Sequence, residues 1–177
     1  MEIYLVRHTE PVIEKGICYG NSDIGIKLPI ENELDLILKK LPAFVDVIYT
    51  SPLLRCSYLA EQLQAKIKTN LLIDYRLKEL NFGDWELKKW DTINQVHLMK
   101  WMNNYEVESC PNGESYKDLK LRATLFLNEL KVLNLKNIVI VSHGGFIRTF
   151  MSIINQQSFS DIMNLKVDYG DVISLRL

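Results

Sequence analysis

The stretch Ile3-Tyr4-Leu5-Val6-Arg7-His8 is the point from which the fold can be worked out. Residues 3–6 form a short apolar run, which is typical of a buried β-strand. The run ends abruptly at a guanidinium and an imidazole, and a loop punctuated by proline and glycine follows. We therefore expect a buried strand that carries polar, chemically active side chains at its carboxyl end.

Further apolar runs alternate with amphipathic segments along the chain. We predict strands at residues 45–49, 71–73 and 138–141, and helices at residues 31–41, 87–105, 115–133 and 146–154. Another helix should run from Pro52 to about residue 65 with Ser51 as its N-cap, and residues 165–177 suggest a closing hairpin. This alternation predicts an α/β fold, a three-layer α/β/α arrangement with a mainly parallel central sheet. The 177 residues fit a single domain spanning 1–177.

Composition and charge exclude several classes of protein. The net charge of −1 gives no sign of a nucleic-acid binder, and the longest apolar run is too short to span a bilayer. Cys18, Cys56 and Cys110 show neither zinc spacing nor a disulfide framework, which suggests reduced thiols. No secretory signal is visible. We expect a cytoplasmic protein with no membrane or nucleic-acid partner, either a monomer or a homodimer.

Three titratable or charged residues follow three of the predicted strands. His8 follows the first, Arg55 lies in the first helical turn after the second, and His143 follows the fourth. Ligands of open parallel sheets bind at the carboxyl ends of the strands, so these residues could converge. Arg7 adds a second guanidinium, and Gly144 opens a helix whose N–H groups could face an anion. The combination predicts a phosphate-binding site.

Such a site supports phosphoryl transfer rather than metal or serine chemistry. Carboxylates with metal-ligand spacing are missing, and Ser142 is not part of a G-x-S-x-G turn. A neutral His8 could attack phosphorus, and Glu79, after the third strand, is the candidate acid for the leaving group. We therefore expect no metal and no cofactor.

Five segments of the chain resemble the motifs of the histidine phosphatase superfamily, in the same order. They are Leu5-Val6-Arg7-His8-Thr9-Glu10, Thr50-Ser51-Pro52-Leu53-Leu54-Arg55, Glu79-Leu80-Asn81-Phe82-Gly83-Asp84-Trp85-Glu86, Pro111-Asn112-Gly113-Glu114-Ser115 and Val141-Ser142-His143-Gly144-Gly145-Phe146-Ile147-Arg148. The resemblance implies a phosphoglycerate mutase-like fold and a phosphohistidine at His8. It also implies that Arg7, Arg55 and His143 hold the phosphoryl group and that Glu79 is the acid and then the base for water.

One loop is similar to a particular subgroup of that superfamily. Gly16-Ile17-Cys18-Tyr19-Gly20-Asn21-Ser22-Asp23 resembles the G-x-C-Y-G-x-x-D segment of α-ribazole phosphatases, which implies α-ribazole 5′-phosphate as substrate, in cobalamin nucleotide-loop assembly. The chain departs from the superfamily pattern at Glu14, where many members have asparagine. It departs again at Leu87 and Asn112, where glycine is frequent.

Several residues have a structural interpretation beside the functional one. Ser115 could cap a helix together with Asp118, or it could bind substrate. Tyr19 and Phe82 are expected at the rim of the pocket, with Tyr19 as a substrate contact. For His97, Arg122, Arg148, Trp85, Trp90 and Trp101 we favour structural roles.

Three functions remain open on the sequence alone. The leading one is a phosphomonoesterase acting on a small phosphorylated metabolite, of narrow or broad specificity. A phosphoglycerate-type mutase is the first alternative. An inactive phospho-ligand binding module is the second, although His8, Arg55, Glu79 and His143 are all retained.

Overall fold

A single five-stranded sheet runs through the molecule. The computed structural model describes the backbone of residues 1–177 and every side chain except those of Phe159 and Met163. The strands are β1 (Glu2–Arg7), β2 (Val47–Thr50), β3 (Asn70–Ile73), β4 (Asn137–Ser142) and β5 (Val172–Arg176), in the spatial order β3-β2-β4-β1-β5. Strands β3, β2, β4 and β1 are parallel to one another, whereas β5 pairs antiparallel to β1. The predicted mainly parallel sheet is confirmed.

Helices cover both faces of this sheet. They are α1 (Glu31–Lys40), α2 (Leu54–Ile67), α3 (Gln95–Asn104), α4 (Tyr116–Lys131), α5 (Gly144–Ile154) and α6 (Phe159–Met163). Short 3-10 turns occur at Tyr75–Leu77, Gly83–Trp85 and Trp90–Thr92. The central strand β4 shows how the layers form, because its successive side chains point to opposite faces. Ile138 and Ile140 join the core beneath α4 and α5, while Val139 and Val141 join the core beneath α1 and α2. The three-layer α/β/α arrangement is confirmed.

The register of the strands brings their carboxyl ends to one edge of the sheet. Arg7 of β1 lies opposite Ser142 of β4, and Thr50 of β2 lies opposite Val141. The residues that leave the three strands are therefore neighbours at one edge. They include His8, Ser51 and His143.

The single helix predicted for residues 87–105 is wrong. Residues 87–94 form turns, and α3 begins only at Gln95, where the Asn94 side chain caps it by accepting the N–H groups of Val96 and His97. Ile93 and Trp101 do face the interior, but Ile93 lies before α3 and Trp101 within it, and Val96 is exposed. Their helical spacing therefore gave a misleading signal.

Two other boundaries also differ from the prediction. Helix α2 begins at Leu54 rather than at Pro52, and Asp23 rather than Ser51 accepts the Leu54 N–H, at 2.6 Å. The tail forms no hairpin. Instead, a loop leads to β5, which pairs with β1, because the Gly170 N–H donates to the carbonyls of Arg7 and His8 and brings the tail alongside that strand.

The backbone conformations of Leu87 and Asn112 explain why glycine is frequent at these two positions in the superfamily. Leu87 has a φ of 63° and Asn112 a φ of 55°, both in the left-handed region. A leucine pays a steric cost there that glycine avoids, whereas asparagine tolerates this conformation better. The two departures from the superfamily pattern therefore preserve the turns, although they change the side chain.

The core beneath α4 and α5 should tolerate truncation poorly. Phe126 of α4 is fully buried, with its ring 5.3 Å from that of Tyr49 and 6.1 Å from that of Phe150. We expect Phe126→Ala to lower the free energy of unfolding by about 3–5 kcal/mol. Leu125→Ala, on the exposed face of the same helix, should change it by no more than about 0.5 kcal/mol. Denaturant unfolding measures both, and equal effects would contradict this account of the core.

Candidate active site

His8 lies at the carboxyl end of β1 with its imidazole almost fully buried. Nδ1 lies 2.7 Å from the carbonyl oxygen of Thr9. A carbonyl can only accept, so Nδ1 carries the proton and Nε2 keeps its lone pair. No described residue donates to or accepts from this Nε2. The ring lines the main cavity of the described structure, so its unprotonated nitrogen is available there.

The surroundings keep the His8 imidazole neutral. Burial lowers its pKa to about 3, the charges of Arg55 and Arg7 act in the same direction, and the bond to Thr9 opposes them. Since an ordinary histidine titrates near 6.5, the ring is unprotonated throughout the neutral range. A neutral imidazole is the form that a nucleophile requires.

Arg7 is held beside His8 by the C-terminal loop. Its Nη1 donates to the carbonyl of Val167 at 2.6 Å, and its guanidinium carbon lies 4.0 Å from the centre of the Tyr169 ring. The buried Nε has no hydrogen-bond partner among the described residues. The Tyr169 ring is also 5.5 Å from that of His8, and its hydroxyl lies 2.7 Å from the Tyr19 hydroxyl. Arg7 thus keeps donors for a ligand while its orientation is fixed.

Arg55 and His143 form a second, fully buried pair. The Nε of Arg55 donates to Nδ1 of His143 at 3.2 Å, so Nε2 of His143 carries the proton and faces the Ser51 hydroxyl at 2.9 Å. Arg55 also donates to the carbonyls of Ser22 and Gly20. Burial and the charge of Arg55 hold the pKa of His143 well below its ordinary value. The rings of His143 and His8 meet edge to face, with their centres 5.2 Å apart.

Carboxylates of the chain itself accept N–H groups at the two helix N-termini of this edge. A ligand contact by the N–H of Gly144 stays a prediction. Asp23 accepts the Leu54 N–H of α2, at 2.6 Å. Glu79 accepts the Gly145 N–H at 2.8 Å and the Phe146 N–H at 3.1 Å at the start of α5. Carboxylates are favourable at helix N-termini for the same reason that phosphate is. The arginines therefore carry most of the positive charge that a ligand would meet.

The position of the Glu79 carboxylate depends on the absence of a side chain at Gly145. A side chain on Gly145 would begin 2.4 Å from Oε1 of Glu79, so only glycine allows the carboxylate this close to the helix. Oε1 accepts two backbone N–H groups, from Leu80 and Phe146, whereas Oε2 accepts only that of Gly145. Oε2 therefore keeps more free acceptor capacity than Oε1, and the side chain lines the same cavity as His8.

Glu86 organises the loop that covers the site, a role that the sequence analysis missed. Its carboxylate accepts the N–H groups of Gly20, Asn21, Ser22 and Phe82 at 2.8–3.1 Å. Burial acts to raise its pKa, but these bonds and the Ser22 hydroxyl hold the pKa below the ordinary value. The only signal in the sequence was the position of Glu86 in the motif that begins at Glu79. Tyr169 was missed as well, since the tail was interpreted as a hairpin.

The cavity at this edge has two chemically different ends. Its volume is about 740 Å³. The charged groups Arg7, Arg55, Glu79 and Arg148 surround the two histidines. The rest of the lining is mostly apolar and comes from other elements: Ile17, Leu80, Phe82, Trp90, Leu98, Trp101, Met102, Tyr105, Tyr116 and Leu119. The Phe82 ring lies 5.4 Å from that of Trp90 and 6.1 Å from that of Trp101.

Most predicted site residues meet in this cavity. Arg7, His8, Tyr19, Arg55, Glu79 and His143 all line it, as do Arg148, Trp90 and Trp101, for which structural roles were favoured. Gly144 is buried behind the lining, where its missing side chain makes room for Arg7 and Arg148. Trp85 is buried in a separate cluster with Cys18 and Cys110.

Ser115 lies outside the cavity lining. It caps α4 through a capping box with Asp118, which confirms the structural interpretation. A substrate contact by Ser115 stays a prediction. Arg122 binds Glu114 and three backbone carbonyls, as expected for a structural arginine. Glu14 and His97 are exposed and do not line the cavity.

The described residues offer neither a metal site nor a membrane-spanning helix. They contain no cluster of three or more histidine, cysteine or carboxylate side chains that could hold a metal ion. Within the same residues, no helix combines the length and the apolar character needed to cross a bilayer.

Comparison with known proteins identifies the family. Residues 3–177 match the sequence model of the histidine phosphatase superfamily, branch 1, so the chain belongs to this superfamily. A relative from Hydrogenobacter thermophilus that is named as a phosphoserine phosphatase is 28% identical over 180 residues, covering 99% of this chain and 89% of that protein. The adenosylcobalamin/alpha-ribazole phosphatase of Escherichia coli is 23% identical over 176 residues, covering 96% and 87%. Relatives named as phosphoglycerate mutases also match.

A solved structure confirms the fold. The α-ribazole phosphatase of Shigella flexneri superposes with a TM-score of 0.90 at 22% identity, covering 100% of this chain and 91% of that one. The phosphoglycerate mutase-like architecture is thereby confirmed. Superfamily membership and relatives named as phosphatases support a hydrolase that acts on small phosphorylated metabolites.

Buried neutral histidines should make stability depend on pH. Because the pKa values of His8 and His143 are lowered in the folded protein, the unfolded chain binds more protons below about pH 6.5. The free energy of unfolding should therefore fall as pH drops from 7 to 5, by about 1.4 kcal/mol per pH unit for each histidine below its ordinary pKa. His8→Asn and His143→Asn should each remove one such contribution, measured by denaturant unfolding. An unchanged slope in both variants would rule out the lowered pKa values.

Removing the Glu86 carboxylate should release the loop of residues 19–22. Glu86→Gln replaces one acceptor oxygen with a donor, so buried N–H groups lose their partner, and the free energy of unfolding should fall by about 1–3 kcal/mol. Trypsin cleavage at the nearby Lys15 and Lys27 should also become faster. Glu108→Gln, which removes a surface ion pair with Lys100, is the matched control and should have little effect on either measurement. Equal behaviour of the two variants would argue against this role of Glu86.

Proposed function

We propose that the protein hydrolyses phosphate monoesters through a phosphohistidine formed at Nε2 of His8. The observation that carries this proposal is the fixed tautomer of His8. Its Nδ1 donates to Thr9, and the free Nε2 belongs to a side chain that lines a cavity with unpaired guanidinium groups. An imidazole in this form can attack phosphorus without first losing a proton.

The first chemical step would transfer the phosphoryl group to the enzyme. Nε2 of His8 forms a bond to phosphorus while the bond from phosphorus to the ester oxygen breaks. The guanidinium groups of Arg7 and Arg55 stabilise charge on the phosphoryl oxygens. Oε2 of Glu79, when protonated, gives its proton to the departing alkoxide. Such proton transfer typically contributes about 10²–10⁴-fold in rate.

The second step would return the enzyme to its starting state. The Glu79 carboxylate takes a proton from water, and the water oxygen bonds to phosphorus as the bond to Nε2 breaks. Inorganic phosphate leaves, His8 is neutral again and Glu79 is again protonated. Residues 1–177 act in this proposal as one catalytic domain that requires neither a metal nor a cofactor.

The apolar end of the cavity supports α-ribazole 5′-phosphate as the substrate. The flat benzimidazole of this molecule matches a lining built from Phe82, Trp90 and Trp101. The described residues of this end include no cation, so the carboxylate of phosphoglycerate or phosphoserine would find no partner there. Similarity to enzymes named as α-ribazole phosphatases points to the same substrate. Three buried free cysteines suit a reducing, cytoplasmic compartment, where we place the reaction.

A comparison of substrates tests the proposal. We expect kcat/KM for α-ribazole 5′-phosphate to exceed that for phosphoserine and for 3-phosphoglycerate, and EDTA to leave the rates largely intact. Release of inorganic phosphate without isomerisation of 3-phosphoglycerate is the expected result. Isomerisation would establish the mutase alternative, and phosphate binding without turnover of any monoester would establish the binding module.

Variants of His8 and Glu79 test the two chemical roles separately. His8→Asn should abolish turnover and the acid-labile phosphoenzyme, whereas His97→Asn, on the exposed face of α3, should behave like the wild type. Glu79→Gln should lose about 10²–10⁴-fold with α-ribazole 5′-phosphate. The loss in the transfer step should be much smaller with p-nitrophenyl phosphate, because its leaving phenolate needs no proton. A phosphoenzyme that persists in His8→Asn would contradict the nucleophile assignment.

A further inference from the structure

The six arginines of the chain fall into two groups. Three have carboxylate partners: Arg76 with Asp74 and Glu129 at 2.5 and 2.7 Å, Arg122 with Glu114 at 3.0 Å, and Arg176 with Glu2 at 3.4 Å. The other three, Arg7, Arg55 and Arg148, have no ion pair among the described residues, and all three line the cavity. Arg55 is buried, and Arg7 and Arg148 are partly buried. Charges removed from water are normally paired, so three unpaired guanidiniums at one cavity indicate an anionic ligand. Arg7 and Arg55 are already assigned to that ligand, but Arg148 is not.

Arg148 lies next to Arg7 on one side of Gly144. Its Nη1 is 3.3 Å from the point where a side chain on Gly144 would begin, and the guanidinium carbon of Arg7 is 3.4 Å from the same point. Both burial and the charge of Arg7 lower the pKa of Arg148, while Glu79 acts in the opposite direction. Two like charges are thus held close together, an arrangement that an anion between them would stabilise.

The one described hydrogen bond of Arg148 does not account for its position. Its Nε donates to the carbonyl of Leu165 at 2.8 Å, which ties the side chain to the C-terminal loop. A guanidinium has five N–H donors, and the four on Nη1 and Nη2 have no described acceptor. Arg122, by contrast, directs its donors to three backbone carbonyls and to Glu114. Arg148 is anchored at Nε and keeps its two outer nitrogens for the cavity.

We propose that Arg148 binds the phosphoryl group of the substrate as a third guanidinium, beside Arg7 and Arg55. This inference rests on the proposed function. It is supported by the charges at the polar end of the cavity. With both histidines neutral and Glu79 protonated, as the first chemical step requires, the three guanidiniums leave three positive charges. A phosphate monoester dianion neutralises two of them, which matters in a cavity partly shielded from water.

Binding and turnover of three variants test this role. Arg148→Met keeps much of the apolar stem and removes the charge, Arg148→Lys keeps a charge, and Arg176→Met removes an exposed arginine at the opposite end of the sheet. We expect Arg148→Met to weaken the binding of inorganic phosphate by about 10- to 100-fold, measured by calorimetry, and to lower kcat/KM for p-nitrophenyl phosphate similarly. Arg148→Lys should recover part of both values, and Arg176→Met should match the wild type.

The melting temperature separates phosphate binding from a structural role. The single lysine nitrogen cannot both bond the Leu165 carbonyl as Nε does and replace the outer nitrogens at the cavity, so partial recovery of phosphate affinity without recovery of the melting temperature supports a direct contact. Phosphate affinity in Arg148→Met equal to that of the wild type would overturn the inference. An affinity that follows only the melting temperature across the Met and Lys variants would overturn it too. Absence of turnover by the wild type would refute the proposed function, and phosphate binding would still decide the role of Arg148.

Discussion

The parallel pairing of β1 with β4 places the two histidines of the site side by side. The register that sets Arg7 opposite Ser142 makes His8 and His143 the next residues on each strand, and their rings meet at 5.2 Å. A slip of one residue along either strand would turn its side chains to the other face of the sheet. The sheet cannot slip in this way, because alternate residues of β4 fill two different cores. The packing of Ile138 to Val141 therefore determines the geometry of the site.

Charge at this edge is distributed in a consistent way. Asp23 and Glu79 accept N–H groups at the two helix N-termini, and Arg7, Arg55 and Arg148 form no ion pair among the described residues. Burial, together with the charges of Arg55 and Arg7, keeps the histidines neutral, since a proton on either ring would lose contact with water and add to an uncompensated positive charge. The same surroundings therefore attract a dianion and keep the nucleophile unprotonated.

Residues that belong to regular elements could be predicted from the sequence, whereas contacts made by loops could not. Apolar runs bounded by polar residues identified four of the strands, and strand-end positions brought His8, Arg55 and His143 to one cavity. The same reasoning failed for residues 87–105, because Trp90 and Ile93 lie before α3 and Trp101 lies within it, at spacings that imitate one continuous helix. Glu86, Tyr169 and Arg148 were missed as site residues for a different reason. Their contacts depend on how distant loops fold back, and local periodicity carries no information about that.

The order of the strands links the first residues of the chain to the last. Strand β1 lies between β4 and β5, so the strand that ends at the proposed nucleophile is complete only after residues 137–142 and 172–176 have been synthesised. The Val167 carbonyl that orients Arg7 comes from the same late segment. A nascent chain that ends before the tail therefore leaves one edge of β1 without a partner and Arg7 without its anchor. The site around His8 can therefore be completed only after the segment of residues 167–176 has been synthesised.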